Sequence, residues 1–124
     1  MLHTQLTRFG IIGCTAMAVH WSIVVLLVQL FDLLPLIANV FGFLLAFQIS
    51  YLGHYKWTFK ATHLAHKTTS VRFFTTACLG FLLSESLYAF ALYMTPLPYE
   101  ISLIVILFLT STVTFVLSKF WAFR

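Results

Sequence analysis

The sequence predicts an all-α membrane protein: four transmembrane helices built as two hairpins that run the same way through the bilayer. Three observations predict this. The 124-residue chain is 61% hydrophobic and 8% charged, with a mean hydropathy of +1.00, whereas soluble domains carry about 25% charged residues. Its uncharged stretches are long enough to cross a bilayer. The stretch YKWTFK at residues 55–60 also returns as KFWAFR at residues 119–124. Residues 1–124 therefore read as one integral membrane domain, with hairpin repeats at about 1–60 and 65–124.

Helix 1 is expected at about 9–31. No Lys, Arg, Asp or Glu lies between Arg8 and Asp32, a run of 23 residues. At ~1.5 Å per residue it measures roughly 34 Å, enough for a ~30 Å hydrocarbon core. It reads as a span rather than a removable signal peptide, because its apolar core is too long and no small-residue cleavage site follows. The turn FDLLPL places Pro35 at the start of helix 2, about 35–55, within the uncharged run 33–55. A polar, basic loop at about 58–70 follows. Helix 3, about 72–94, falls in a run that only Glu85 interrupts. TPLPYE ends it, and helix 4 occupies about 100–119. Both Pro-containing connections are short, so each helix pair is an antiparallel hairpin. A β-barrel would show strict alternation of apolar and polar residues, and these runs are continuous.

Charge sets the orientation. Arg8, Lys56, Lys60, Lys67, Arg72, Lys119 and Arg124 all fall on one side of a four-span chain, and the opposite loops hold Asp32 and Glu100. Cytoplasmic loops carry the excess of Lys and Arg, so both termini are expected in the cytoplasm. The net charge of +4 then belongs to a membrane face, not to a nucleic-acid-binding surface.

A shift of 64 residues aligns the halves without a gap. It pairs Arg8-Phe9 with Arg72-Phe73, Cys14 with Cys78, Trp57 with Trp121 and Phe59 with Phe123. Two spans per unit relate the halves by an axis along the membrane normal, as in parallel-repeat transporters.

The repeat singles out faces. On helix 2, Asn39, Gly42, Ala46, Ser50 and Gly53 form a small or polar stripe with His54 at its edge. Thr110, Thr114 and Ser118 form its counterpart on helix 4. Such stripes serve close helix packing in lipid or line a cavity, and both readings stand for different parts of these two. A third stripe on helix 1, Gly10, Cys14 and Ala18, reads as packing. Cys14 and Cys78 read as small packing residues, and the His63/His66 pair as a solvated loop without further metal ligands.

Glu85 is the one acid within a span. It lies 13 residues beyond Arg72, as His20 lies 12 beyond Arg8, so both sit about 20 Å deep. Intramembrane ionisable groups are functional candidates by default. The structural alternative is a protonated Glu85 bonded to Tyr88 or to a neighbouring helix. Lys60, Lys67 and Arg124 read as topology signals and headgroup anchors. Arg8 and Arg72 begin equivalent helices, and with Lys56 and Lys119 they form a candidate phosphate site flanked by His54, Trp57 and Trp121.

At these residues the chain resembles the GtrA-like family of small four-span membrane proteins. The shared features are RFGIIG opening helix 1, PLIANVFGFLLAFQISYLGHYKWTF across helix 2, RFF opening helix 3 and FVLSKFWAF closing helix 4. Where members often carry Asn three residues before the tryptophan, this chain has His54 and Ser118. The resemblance implies a non-enzymatic translocase of the bacterial inner membrane. Its substrate would be a polyprenyl-phosphate-linked sugar or the bare polyprenyl phosphate, delivered for cell-surface polysaccharide or lipopolysaccharide glycosylation.

That function is compatible with the residues themselves. The chain has no Walker-type loop, nucleophile–base pair or metal cluster, and no cofactor is expected. Four short helices hardly enclose a sugar phosphate alone, so a homodimer is expected, with a membrane glycosyltransferase as a further partner. Two other readings remain: a scaffold holding such a glycosyltransferase, and a proton-coupled exporter of the small multidrug type.

Overall fold

A computed structural model describes residues 2–124, and it is a bundle of four helices, each long and apolar enough to span a membrane. Helix α1 is Leu2–Phe31. Its 30 residues run roughly 45 Å at ~1.5 Å each, so its first turns project past the hydrocarbon core. There Thr4, Gln5 and Arg8 replace apolar residues. The helix ends at Asp32, which takes a left-handed φ of 57°, a conformation Asp tolerates better than most residues. Leu34 is extended ahead of Pro35, and α2 (Pro35–Gly53) begins on that proline.

A π-helical turn, His54–Thr58, continues α2. Phe59 N–H closes it by donating to His54 O at 3.0 Å. Lys60, with φ 46°, reverses the chain toward α3 (His66–Met94). Pro98 precedes α4 (Tyr99–Leu117), and a second π-helical turn follows at Ser118–Ala122. Phe123 N–H donates to Ser118 O at 3.0 Å, the bond that Phe59 makes 64 residues earlier. The same spacing relates α2 to α4 at both ends, and relates the starts of α1 and α3.

The hairpins α1/α2 and α3/α4 make the most extensive contacts, and α2/α3 and α1/α4 complete the ring. Arg8 bonded to Trp57, Lys119 bonded to Gln5 and Arg72 bonded to Arg124 gather the N-terminus, the α2–α3 connection and the C-terminus at one basic end. The interior is nearly as often polar as apolar. His20, Asn39, Thr76, Ser84 and Ser118 are buried, while Leu, Ile and Phe cover the outside. In lipid, apolar side chains gain nothing by leaving the hydrocarbon. Small residues and interhelical hydrogen bonds hold such a bundle instead.

Two glycines show how tightly the first hairpin closes. A Cβ on Gly42 would sit 2.7 Å from His20 Cδ2 and 2.9 Å from the His20 carbonyl oxygen. One on Gly53 would meet the Ile12 side chain at 2.6 Å. Gly10 has open space in that direction. Gly42→Ala should therefore lower stability by about 1–3 kcal/mol, the cost of overpacking, and Gly10→Ala should leave it within ~0.5 kcal/mol. Thermal melting of both variants in detergent checks the pair. Equal melting temperatures would mean that α1 and α2 are not held this closely.

Candidate functional site

A cavity of about 240 Å³ lies within the ring, and all four helices line it. From α2 it takes Ala46, Ser50 and, just beyond the helix, His54. From α4 it takes Thr110, Ser111 and Thr114. α1 contributes Gly10, Gly13, Cys14 and His20, and α3 contributes Gly80 and Ser84 among aromatic neighbours. The α1 stripe expected to pack thus lines the cavity at Gly10 and Cys14, while Ala18 is exposed. The reason is geometric. Gly42 and Gly53 bring α1 and α2 together, and nothing fills the space before Gly10 and Gly13.

Asn39 and Ser118 do not line the cavity. Asn39, fully buried, bridges three helices. His20 Nε2–H donates to its Oδ1 at 2.6 Å, and its Nδ2–H donates to Glu85 Oε1 at 3.1 Å. An amide oxygen only accepts and an amide nitrogen only donates, so these contacts put the His20 proton on Nε2 and fix the direction of the chain. His20 and Glu85, matched in depth on α1 and α3, are joined by a residue of α2. Beyond them Tyr88 O–H donates to Tyr99 O at 3.1 Å, and Trp21 Nε1–H to Glu100 O at 3.1 Å. Ser118 is buried in the second π-helical turn, its Oγ without a partner among the described residues.

Toward the basic end the cavity meets an aromatic plug. His54 stacks on Phe9 at 4.4 Å between ring centres and an interplanar angle of 9°, and its Nδ1 shares a 2.9 Å hydrogen bond with Thr58 Oγ1. Phe59 and Phe123, the last aromatic residues of the two W-x-F endings, stack on one another at 5.1 Å. Phe73 packs against Phe123 at 5.1 Å as well. Trp57 and Trp121 point the other way and are 40% and 43% exposed, as interfacial tryptophans are. The π-helical turns separate these roles by turning the Phe of each ending inward and the Trp outward. Turns of this kind often mark functional positions in helices.

The predicted cations do not share one site. Arg8 Nη1 donates to Trp57 O at 3.1 Å, and its guanidinium lies 5.4 Å from the centre of the Trp57 ring, a cation–π contact. Arg8 also borders a recess of about 180 Å³ with Thr4, Gln5, Thr58, Phe59 and Lys60. Lys119 is tied to this corner by donating to Gln5 Oε1. Arg72 instead donates to the Arg124 carbonyl at 3.4 Å, and Lys56 is exposed.

Sequence reasoning missed Gln5 and Lys60 as parts of the Arg8 corner, and Ser84 as a wall of the cavity. Lys60 carried one signal that sequence shows, its place directly after W-x-F. Gln5 carried none, because the N-terminal turns of α1 lie outside the apolar run. Ser84 was hidden beside the more conspicuous Glu85.

No curated protein and no solved structure matches the chain. Over residues 8–123 it matches the family described as GtrA/DPMS, transmembrane domain, and it belongs to that family of small, non-catalytic four-span membrane components linked to polyprenyl-phosphate sugar biology.

Proposed function

We propose that the protein is a translocase that carries the headgroup of a polyprenyl-phosphate lipid, sugar-linked or bare, across a bacterial inner membrane. The observation that carries this reading is a cavity with a line of polar groups along its mainly apolar wall, inside a bundle whose basic residues gather at one end. The headgroup crosses inside the ring while the prenyl tail stays in lipid. Family membership supports a translocation role.

The seven-to-zero charge split supports cytoplasmic termini. The 64-residue spacing of helices and π-helical turns supports a repeat about an axis near the membrane normal. A lipid phosphate moving outward across an inside-negative membrane gains about 2.3 kcal/mol per charge per 100 mV, so net export needs no ATP. The sugar would then serve a membrane glycosyltransferase. The proposed working unit is a homodimer.

In this reading Arg8 receives the phosphate at the basic face, with Lys60 across the recess and Lys119 held beside it through Gln5. Arg72 and Lys56 add to the positive field. Trp57 orients the Arg8 guanidinium from below, and Trp121 anchors the second hairpin. His54 belongs to the plug that must yield before a headgroup enters.

The test is purified protein in liposomes with a sugar-phosphoprenol, scored for exchange between leaflets. Protein-dependent exchange is expected, and its absence would return the chain to the scaffold reading. Arg8→Lys keeps the charge but loses the planar fork. It should weaken phosphoprenol binding in detergent about tenfold, one charge-assisted hydrogen bond at ~1.5 kcal/mol. Lys67→Ala should change it less than about twofold, as expected for an exposed charge. Equal, small effects would return Arg8 to a topology signal.

A further inference from the structure

The cavity and the basic face differ in chemistry. No Lys, Arg, Asp or Glu lines the cavity. Its polar lining consists of hydroxyls and two imidazoles. Most of those hydroxyl protons are already committed to their own helix. Thr110 Oγ1 donates to Ile106 O at 3.0 Å, Thr114 Oγ1 to Thr110 O at 3.2 Å and Ser111 Oγ to Phe108 O at 2.6 Å. These three therefore offer only lone pairs to an occupant. His20 does likewise. With Nε2–H donated to Asn39, its Nδ1 is an acceptor. Ser50, toward the basic end, and Ser84, toward the other, are the exceptions, and Ser84 is the buried one. It lines the cavity at 4% exposure, and its Oγ has no hydrogen-bond partner among the described residues.

At the end bounded by His20, Ser84 and Thr110, acceptors with one uncommitted hydroxyl suit an occupant that is rich in donors and carries no negative charge. A carboxylate or phosphate only accepts, and it would bury an anion with no cation to pair it, a cost of several kcal/mol or more. Phe43, Phe81 and Phe108 supply flat apolar walls, the usual complement to a few convergent polar groups in a small-molecule site. At ~30 Å³ per water the cavity has room for about eight waters, the scale of a single sugar ring.

We propose that the end of the cavity between His20, Ser84 and Thr110 is a seat for an uncharged polyhydroxyl group, a neutral monosaccharide ring. Ser84 donates to it, and His20 Nδ1 and Thr110 Oγ1 accept from it. The inference rests on the translocase reading and adds two things: the phosphate passes without resting in this seat, and a sugar bearing a carboxylate is not held there.

Three lipids test it by binding to purified protein in detergent: farnesyl phosphate, farnesyl phosphoglucose and farnesyl phosphoglucuronate, whose ring differs by a carboxylate in place of the primary alcohol. The glucose lipid should bind about tenfold tighter than farnesyl phosphate, and the glucuronate lipid no tighter than farnesyl phosphate. Ser84→Ala should reduce the glucose-to-bare ratio to about two or three. It removes an unpartnered hydroxyl, so its melting temperature should not fall, which separates a lost contact from a lost fold. Ser84→Thr, which restores the hydroxyl, should recover most of the ratio.

A ratio near one in the wild type would mean that the cavity holds only water, and would overturn the proposal. A glucuronate lipid as tight as the glucose lipid, or an unchanged ratio in Ser84→Ala, would overturn it as well. Binding of farnesyl phosphate without any sugar increment leaves the translocase reading standing and removes only the seat. Failure of all three lipids to bind removes both.

Discussion

Asn39→Leu should destabilise the bundle by about 2–3 kcal/mol. The side chain is fully buried and holds one ionisable group on each side, His20 at 2.6 Å and Glu85 at 3.1 Å. Interhelical hydrogen bonds in membranes average only ~0.6 kcal/mol, because the separated helices find other partners. Two average bonds would give ~1 kcal/mol, too little for the expected effect.

The larger part comes from what Leu leaves behind. The His20 Nε2–H and the Glu85 carboxyl would each lose their partner inside the bundle, at ~1–3 kcal/mol per group before relaxation. Partial access of Glu85 to its surroundings lowers the second cost, which brings the total to about 2–3 kcal/mol. Denaturation in mixed detergent measures it. Asn39→Leu in a background of His20→Phe should cost clearly less than in the wild type, since one orphaned group is already gone. Equal costs in both backgrounds would show that Asn39 stabilises by packing alone.

The fold was legible because its signals are long. A run of 23 uncharged residues has one cheap solution in lipid, and a repeat of 64 residues tells where a second copy of each turn lies. The candidate site was legible by residue type but not by arrangement. Depth along a helix follows from counting residues, so His20 and Glu85 could be matched in height. Azimuth depends on how close the helices approach, and here Gly42 and Gly53 set that distance. A counted stripe therefore placed Asn39 among the cavity residues, whereas the α1–α2 contact turns it into the bridge between its neighbours.

The arrangement of the basic residues was hidden for a different reason. The π-helical turns rotate everything after Gly53 and Leu117 relative to an ideal helix. Lys60 thereby comes to border the Arg8 recess, whereas Arg8 and Arg72 stand on α1 and α3, which are not neighbours in the ring. No periodicity read from sequence anticipates a change of helix pitch.

Glu85 should divide the mechanism. In the structure its partner is the Asn39 amide nitrogen, a neutral donor. A Gln at this position has an oxygen that accepts the same bond, with nearly the same shape. If Glu85 acts by holding Asn39, and through it the His20 ring, Glu85→Gln should keep leaflet exchange within about threefold of wild type. Glu85→Ala should then lower it by about tenfold or more, as the orientation of His20 at the cavity wall is lost, at a cost of one or two hydrogen bonds.

The hydrogen-bonding role is the expected one, because the chain from His20 to Glu85 needs only an acceptor at its end. A proton-coupled role gives the opposite pattern: both variants fail, and wild-type exchange depends on pH where Gln has nothing to titrate. A purely structural role gives a third. Glu85→Ala melts lower, yet the fraction that remains correctly assembled exchanges lipid at the wild-type rate. Leaflet exchange on size-checked protein, measured across a pH series, separates the three. Full exchange by Glu85→Ala at every pH would remove Glu85 from the mechanism. Transport would then rest on the cavity wall and on Arg8 at its basic end.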